Sequence, residues 1–265
     1  MKLEILLSCM HRTDGLIVEE SGILGDVLVI NQCDREEIQE FPTKWGRAII
    51  YSTTDRGLTK SRNAAIEKSR SDICMLCDDD EVFAPDYEEK ILSSYNELPD
   101  ADIIIFKMLD RPTALGDKTV RIKFPKTMKV SSWQISFRRE SLIKAGVRFD
   151  PLLGAGTENG AEEELKFLLD CQKAGLKIYY VPKEIAQVGQ TESTWFSGFN
   201  EQFFVNRGAT TRYILGFFPA CLYALYYIIK KRGEYGGQIS SRRAFAAIFR
   251  GIFENKITKQ KGTKK

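Results

Sequence analysis

A short apolar run that ends in four consecutive acids constrains this 265-residue chain more than any other feature. Ile73 to Cys77 has the length and isolation of a buried strand, and Pro85 stops it from extending far. Asp78, Asp79, Asp80 and Glu81 follow without a gap. Four carboxylates at a strand end repel one another unless a cation or a set of donors compensates them. Hard oxygen ligands placed there suit Mg²⁺ or Mn²⁺, which keep waters and bridge to phosphate oxygens. A solvated acidic turn is the other reading of such a run, and the strand in front weighs against it.

The remaining apolar runs fit the same architecture. Leu3 to Leu7, Asp26 to Ile30 and Ala48 to Tyr51 read as strands, and so do Asp102 to Met108, Trp133 to Phe137 and Lys177 to Val181, closed by Pro182. Between the third and fourth strands, Leu58, Ala65, Ile66 and Ser69 share one side of a 3.6-residue period, which predicts an amphipathic helix. Asp86 to Leu98 predicts another, and Arg139 to Ala145 a short one stopped by Gly146. Apolar strands alternating with helix-length segments indicate an α/β fold with a mostly parallel sheet covered on both faces. Ligands of such sheets bind beyond the carboxyl ends of the strands. Ser8 to Arg12, Asn31-Gln32 and Asp78 to Asp80 are then expected to line one crevice. Arg111 to Lys129 reads as an excursion, and Phe149 to Gly160 as a Gly-rich loop before Glu162-Glu163-Glu164.

Charge separates the chain into two parts. From Glu201 onward there are 13 Lys/Arg against three Asp/Glu, a balance of +10, which leaves −7 for residues 1–200 of a total of +3. A basic, apolar tail on an acidic body points to an anionic membrane surface and away from nucleic acid. Tyr213 to Ile229 holds 17 residues without a charge, short of the roughly 20 that a spanning helix needs. Whether it spans, lies on or avoids a membrane stays open at this level. Arg242 to Phe253 places Phe245, Ile248, Phe249 and Ile252 on one face and arginines on another, the pattern of an interfacial helix or of a helix packed on its own domain. The six cysteines include Cys74 and Cys77 inside the apolar strand, so buried free thiols are expected and a zinc site is not. No signal peptide is visible, and a reducing cytoplasm, at the inner face of the cell membrane, is the expected location.

Gly57 to Asn63 (GLTKSRN), Cys77 to Val82 (CDDDEV) and Glu163-Glu164 before Gly175-Leu176-Lys177-Ile178-Tyr179 together resemble family 2 glycosyltransferases of the GT-A fold. The first 190 or so residues carry the resemblance; a lone DxD would be weak. It implies a nucleotide-sugar half over about 1–110, an acceptor half over about 111–200, and a helical tail over 201–265. It implies Asp80 and Asp78 at the metal positions, Ser8, Met10, Asn31 and Gln32 around the nucleotide base, and Arg62 on the diphosphate. Gly57, Ser61, Asp78 and Asp79 complete the implied donor contacts. Asn31 and Gln32 stand where acidic residues are frequent in relatives. The catalytic base is implied to be Glu164, with Glu163 in reserve; Glu stands there for the expected Asp, and Glu162 leaves the register open. The implied cofactor is Mn²⁺ or Mg²⁺ and the implied donor a UDP-sugar. The implied reaction is inverting transfer to a lipid-linked saccharide in cell-surface polysaccharide synthesis.

Other classes find less support. His11 is the only histidine, no GxSxG surrounds a serine, and neither GxGxxG nor a Walker A sequence occurs. A nucleotidyltransferase usually carries a Gly-rich loop after its first strand, and Ser8 to Arg12 has no glycine. A transferase acting on polyprenyl phosphate and a non-catalytic nucleotide-sugar-binding scaffold remain as alternatives.

Overall fold

The computed structural model describes residues 1–189 and 198–257. The approach to the expected domain boundary (190–197) and the basic tip 258–265, with four of the 13 tail cations, lie outside them. The chain divides into two compact units, Met1–Pro151 with Glu163–Thr191, and Leu152–Glu162 with Glu192–Lys265.

The first unit contains the strands β1 (Leu3–Met10), β2 (Asp26–Gln32), β3 (Glu37–Pro42), β4 (Arg47–Thr53), β5 (Ile73–Asp78), β6 (Glu81–Phe83), β7 (Ile103–Met108), β8 (Val120–Arg121), β9 (Ile135–Arg138) and β10 (Ile178–Val188). Its helices are α1 (Ile17–Glu20), α2 (Leu58–Lys68), α3 (Tyr87–Glu97), α4 (Arg139–Ala145) and α5 (Glu163–Lys173). One sheet runs β3-β4-β2-β1-β5-β9-β7-β10-β6, with β8 on β10. The strands β4, β2, β1 and β5 are mutually parallel, as are β7 and β10; β3, β6, β8 and β9 are antiparallel to their neighbours. Apolar residues on both sheet faces are buried in separate clusters, one including Ile5, Val29, Met75 and Phe106, the other Leu6, Leu28, Leu76 and Ile105. That two-sided burial is why these strands read as continuous apolar runs.

Three local expectations change. The strand closed by Pro182 instead continues to Val188, with a register shift between Val181 and Glu184 where proline cannot donate to the ladder. β3 (EIQEFP) carries no apolar run, because it is an edge strand whose Glu37, Ile38 and Glu40 face solvent. β6 begins inside the acidic cluster, at Glu81.

The second unit is helical: α6 (Glu201–Leu215), α7 (Phe217–Lys230), α8 (Arg232–Tyr235) and α9 (Ser241–Glu254). Gly216, at φ 86° and ψ 178°, breaks the 17-residue apolar stretch between α6 and α7. Pro219 then falls in the first turn of α7, where a missing N–H is tolerated. Among the described residues no helix is long and apolar enough to cross a membrane. α6 and α9 cross at backbone contact: a Cβ on Gly208 would lie 2.0 Å from the Ile248 carbonyl, and one on Gly251 2.0 Å from the Val205 carbonyl. This crossing divides the expected apolar face of α9. Ile248 and Ile252 are buried with Ala244 and Ala247, whereas Phe245 and Phe253 are exposed.

Candidate active site

The acidic cluster sits where parallel strands end together. Ser8 of β1 is in register with Asp78 of β5, and Cys9 and Met10 with Asn31 and Gln32 of β2. Glu81 is buried, and its Oε1 accepts the backbone N–H of Asp78 at 2.7 Å. Burial first, and the neighbouring Asp78 second, raise its pKa well above the usual carboxylate range. Glu81 therefore braces the strand end from inside.

Arg62 is the centre of the arrangement. It lies on α2, is 1% exposed, and its Nη2 donates to both carboxylate oxygens of Asp78 at 2.9 and 3.1 Å. Its Nη1 donates to Glu163 Oε1 at 3.0 Å. Burial opposes the guanidinium charge, but Asp78 and Glu163 outweigh it and raise the Arg62 pKa. Arg62, expected at a diphosphate, is buried in this structure and joins the metal-motif strand to the start of α5. Buried charges need partners of this kind, because an isolated one costs several kcal/mol on the order of magnitude. Asn63 explains the next residue of the motif. Its Nδ2 donates to the Phe149 carbonyl and its Oδ1 accepts the Phe149 N–H, each at 2.9 Å. Phe149 is thereby held with its ring 5.5 Å from the Arg62 Cζ and stacked on Phe167 of α5 at 4.1 Å.

The residues expected around the base divide into two groups. Ser8 and Ser61 are buried and share a 2.7 Å hydrogen bond that ties β1 to α2. The Asn31 amide is engaged within the protein: Nδ2 donates to the Arg12 carbonyl at 2.8 Å and to Ser52 Oγ at 3.1 Å, and Oδ1 accepts the Arg12 N–H at 3.0 Å. These bonds close the turn after β1. The Gln32 Oε1 accepts the Gly57 N–H at 2.6 Å, holding the glycine that opens α2 at φ 118°. Met10 and Asp79 are exposed. A cavity of about 640 Å³ opens beside this edge, lined by residues that include Gln32, Ser52, Thr53, Lys60, Ser61 and Lys68.

Asp80 is half-buried, and its pKa is raised by burial first and by Asp78 second, as expected where negative charge lacks compensation. Arg62 already engages Asp78, so Asp80 is the residue of the pair that could hold a divalent cation. Among the described residues no three His, Cys, Asp or Glu side chains converge into a metal cage. The acids of the Glu162–Glu164 run separate cleanly. Glu162, at φ 72°, pairs with Arg207 in the helical unit; Glu163 is buried on Arg62; Glu164 is half-buried in the first turn of α5. Ser132 was missed by sequence reasoning: its Oγ donates to Asp78 Oδ2 at 3.2 Å, from a turn with a Ser131/Gln134 capping box. That S-x-x-Q spacing was the available signal.

Comparison with known proteins gives three likenesses. Residues 25–152 match the profile of Glycosyl transferase family 2. An uncharacterized glycosyltransferase of Haemophilus influenzae is 27% identical over 93 residues, covering 33% of this chain and 30% of its own. S. aureus TarS 1-349 in complex with UDP-GlcNAc superposes with a TM-score of 0.58 at 15% identity, over 80% of this chain and 66% of TarS. The same fragment in complex with UDP gives 0.54 at 15%, over 79% and 65%. The chain thus spans under a third of the curated relative and about two thirds of the TarS fragment, and the sheet is of GT-A type.

Proposed function

We propose, on the premise that residues 25–152 are a family 2 glycosyltransferase segment within a GT-A fold, that this protein moves a sugar from a nucleoside diphosphate sugar to a saccharide hydroxyl with inversion. The observation that carries the reading is the Asp78–Arg62–Glu163 chain, which holds the acidic strand end and the Glu-Glu helix start to one buried cation.

Asp80, with Asp78 behind it, would hold Mg²⁺ or Mn²⁺. The cation, when bound, supplies charge neutralisation for the departing diphosphate. Glu164 takes the proton of the attacking hydroxyl as general base. Glu163 does not share that role, because its carboxylate is fixed on Arg62; it orients the first turn of α5, and with it Glu164. Asn63 and Phe149 keep Arg62 in place. A UDP-sugar is the proposed donor class, supported by the UDP-GlcNAc and UDP complexes of the TarS fragment. A lipid-linked acceptor in cell-surface polysaccharide synthesis is proposed from the basic, apolar helical unit, with the enzyme peripheral to a membrane.

A panel of nucleotide sugars with Mn²⁺ and saccharide acceptors, scored for free nucleotide and glycosylated product, tests the reading. Turnover of one UDP-sugar is expected. Binding without turnover for every donor would replace the enzyme by a binding protein.

A further inference from the structure

Among the described residues, one side of α7 is without a partner. Ala220, Ala224, Tyr227 and Ile228 face inward, while Phe218, Leu222, Leu225 and Ile229 form an outward stripe at i, i+4, i+7 and i+11. Phe218 is 79% exposed and Ile229 71%. Scattered apolar residues on a surface mean little, but a contiguous stripe marks an interaction site. The stripe does not end with its helix. Phe217 contacts Phe218 at 5.5 Å and Phe253 of α9 at 5.6 Å, and Phe249 links Phe253 to Phe245 at 6.4 and 4.5 Å between ring centroids. Phe253 is itself 66% exposed. An aromatic ridge thus runs from α9 onto the α7 stripe.

Charge identifies what covers it. α7 carries no acidic residue, and its C-terminal end continues into Lys230, Lys231 and Arg232. Arg242 and Arg243 stand exposed in the first turn of α9. The acids from residue 201 onward are few and paired: Glu201 with Arg250, Glu234 with Lys231, and Glu254 with Lys256 and Arg250. Apolar and aromatic side chains beside unopposed cations match the boundary of an anionic bilayer, where rings sit at headgroup depth and cations meet lipid phosphates.

We propose that the α7 stripe and the Phe245–Phe249–Phe253 ridge form a monotopic docking face for anionic lipid. The inference rests on the membrane-peripheral part of the proposed function and specifies the surface that carries it. Point substitutions are the suitable probe, since removing α9 would open the Gly208–Gly251 crossing and the core of this unit.

The experiment is flotation of the full chain with vesicles of phosphatidylcholine alone or mixed with phosphatidylglycerol, alongside the triple variant Phe218→Ser/Leu222→Ser/Ile229→Ser. These side chains are exposed, so the variant should keep its melting temperature and its release of nucleotide from a donor. Wild type should float with the anionic vesicles, and the variant's bound fraction should fall by about tenfold or more. High salt should weaken wild-type flotation in part, because the apolar share is not screened. If variant and wild type float alike, this face is overturned while the membrane reading stands. If wild type stays with the soluble fraction, both membrane statements fall, and nucleotide release reports separately on glycosyl transfer. A wild-type dimer that the triple variant abolishes, without flotation, would assign the face to a second copy instead.

Discussion

Arg62 and Glu163 meet at 3.0 Å although 101 residues separate them, and both are buried. With Asp78 on the other end of the guanidinium, this pair connects the acidic strand end to the Glu-Glu start of α5.

Removing one partner of a buried ion pair leaves a charge without compensation. Arg62→Ala should therefore cost about 3–5 kcal/mol of stability and lower the melting temperature by on the order of 10 °C. Arg62→Met combined with Glu163→Gln should recover part of that loss, because one of the two orphaned carboxylates becomes neutral. Urea denaturation of the two variants measures the difference. Equal stability in both would mean that Glu163 is not held by Arg62.

Asp80 has no comparable structural role. Asp80→Asn, or chelation of divalent metal, should reduce turnover by about 10²-fold or more while leaving the fold intact. In thermal scans, Mn²⁺ with UDP should raise the melting temperature of wild type and not of Asp80→Asn. Turnover that persists in chelator would remove the cation from the reaction.

The two carboxylates at the start of α5 should respond differently to the same change. Glu164→Gln should lower kcat by about 10²–10⁴-fold with little change in melting temperature, as removal of a general base does. Glu163→Gln should instead lower stability, because Arg62 loses a charged partner. Its kcat loss should be partly restored in Glu163→Asp, which keeps the charge. Unchanged kcat in Glu164→Gln would pass the base to another residue.

Glu4 supplies a pH dependence away from the site. Burial first, then the facing Asp26, raise its pKa above the ordinary value, against a lowering by Ser69. The folded state thus holds a proton that the unfolded chain gives up earlier, and stability falls as pH rises through the raised pKa. Glu4→Gln removes that dependence. The melting-temperature difference between variant and wild type should grow as pH rises above the ordinary carboxylate range. A constant difference would show that Glu4 titrates alike in both states.

Sequence periodicity and motif spacing were enough for the parallel sheet, because strands buried on both faces must be apolar throughout. They also marked α2 with its Arg-Asn pair, the acidic strand end and the Glu-Glu helix start, since each is a local pattern. β3 stayed hidden because an edge strand needs no apolar run, and the continuation of β10 because Pro182 reads as a stop when its neighbouring strand is unknown. What each polar side chain does was not local. Nothing local in the sequence pairs Arg62 with Asp78 and Glu163, or Asn31 with Arg12 and Ser52; the packing of α2 against β5 and α5, and of β2 against the turn after β1, does. The same holds for α9, whose apolar face is single in sequence. The backbone crossing at Gly208 and Gly251 brings Ile248 and Ile252 into the core, with Phe249 packed against it and Phe245 and Phe253 outside, because two glycines without side chains let the helices meet at backbone distance.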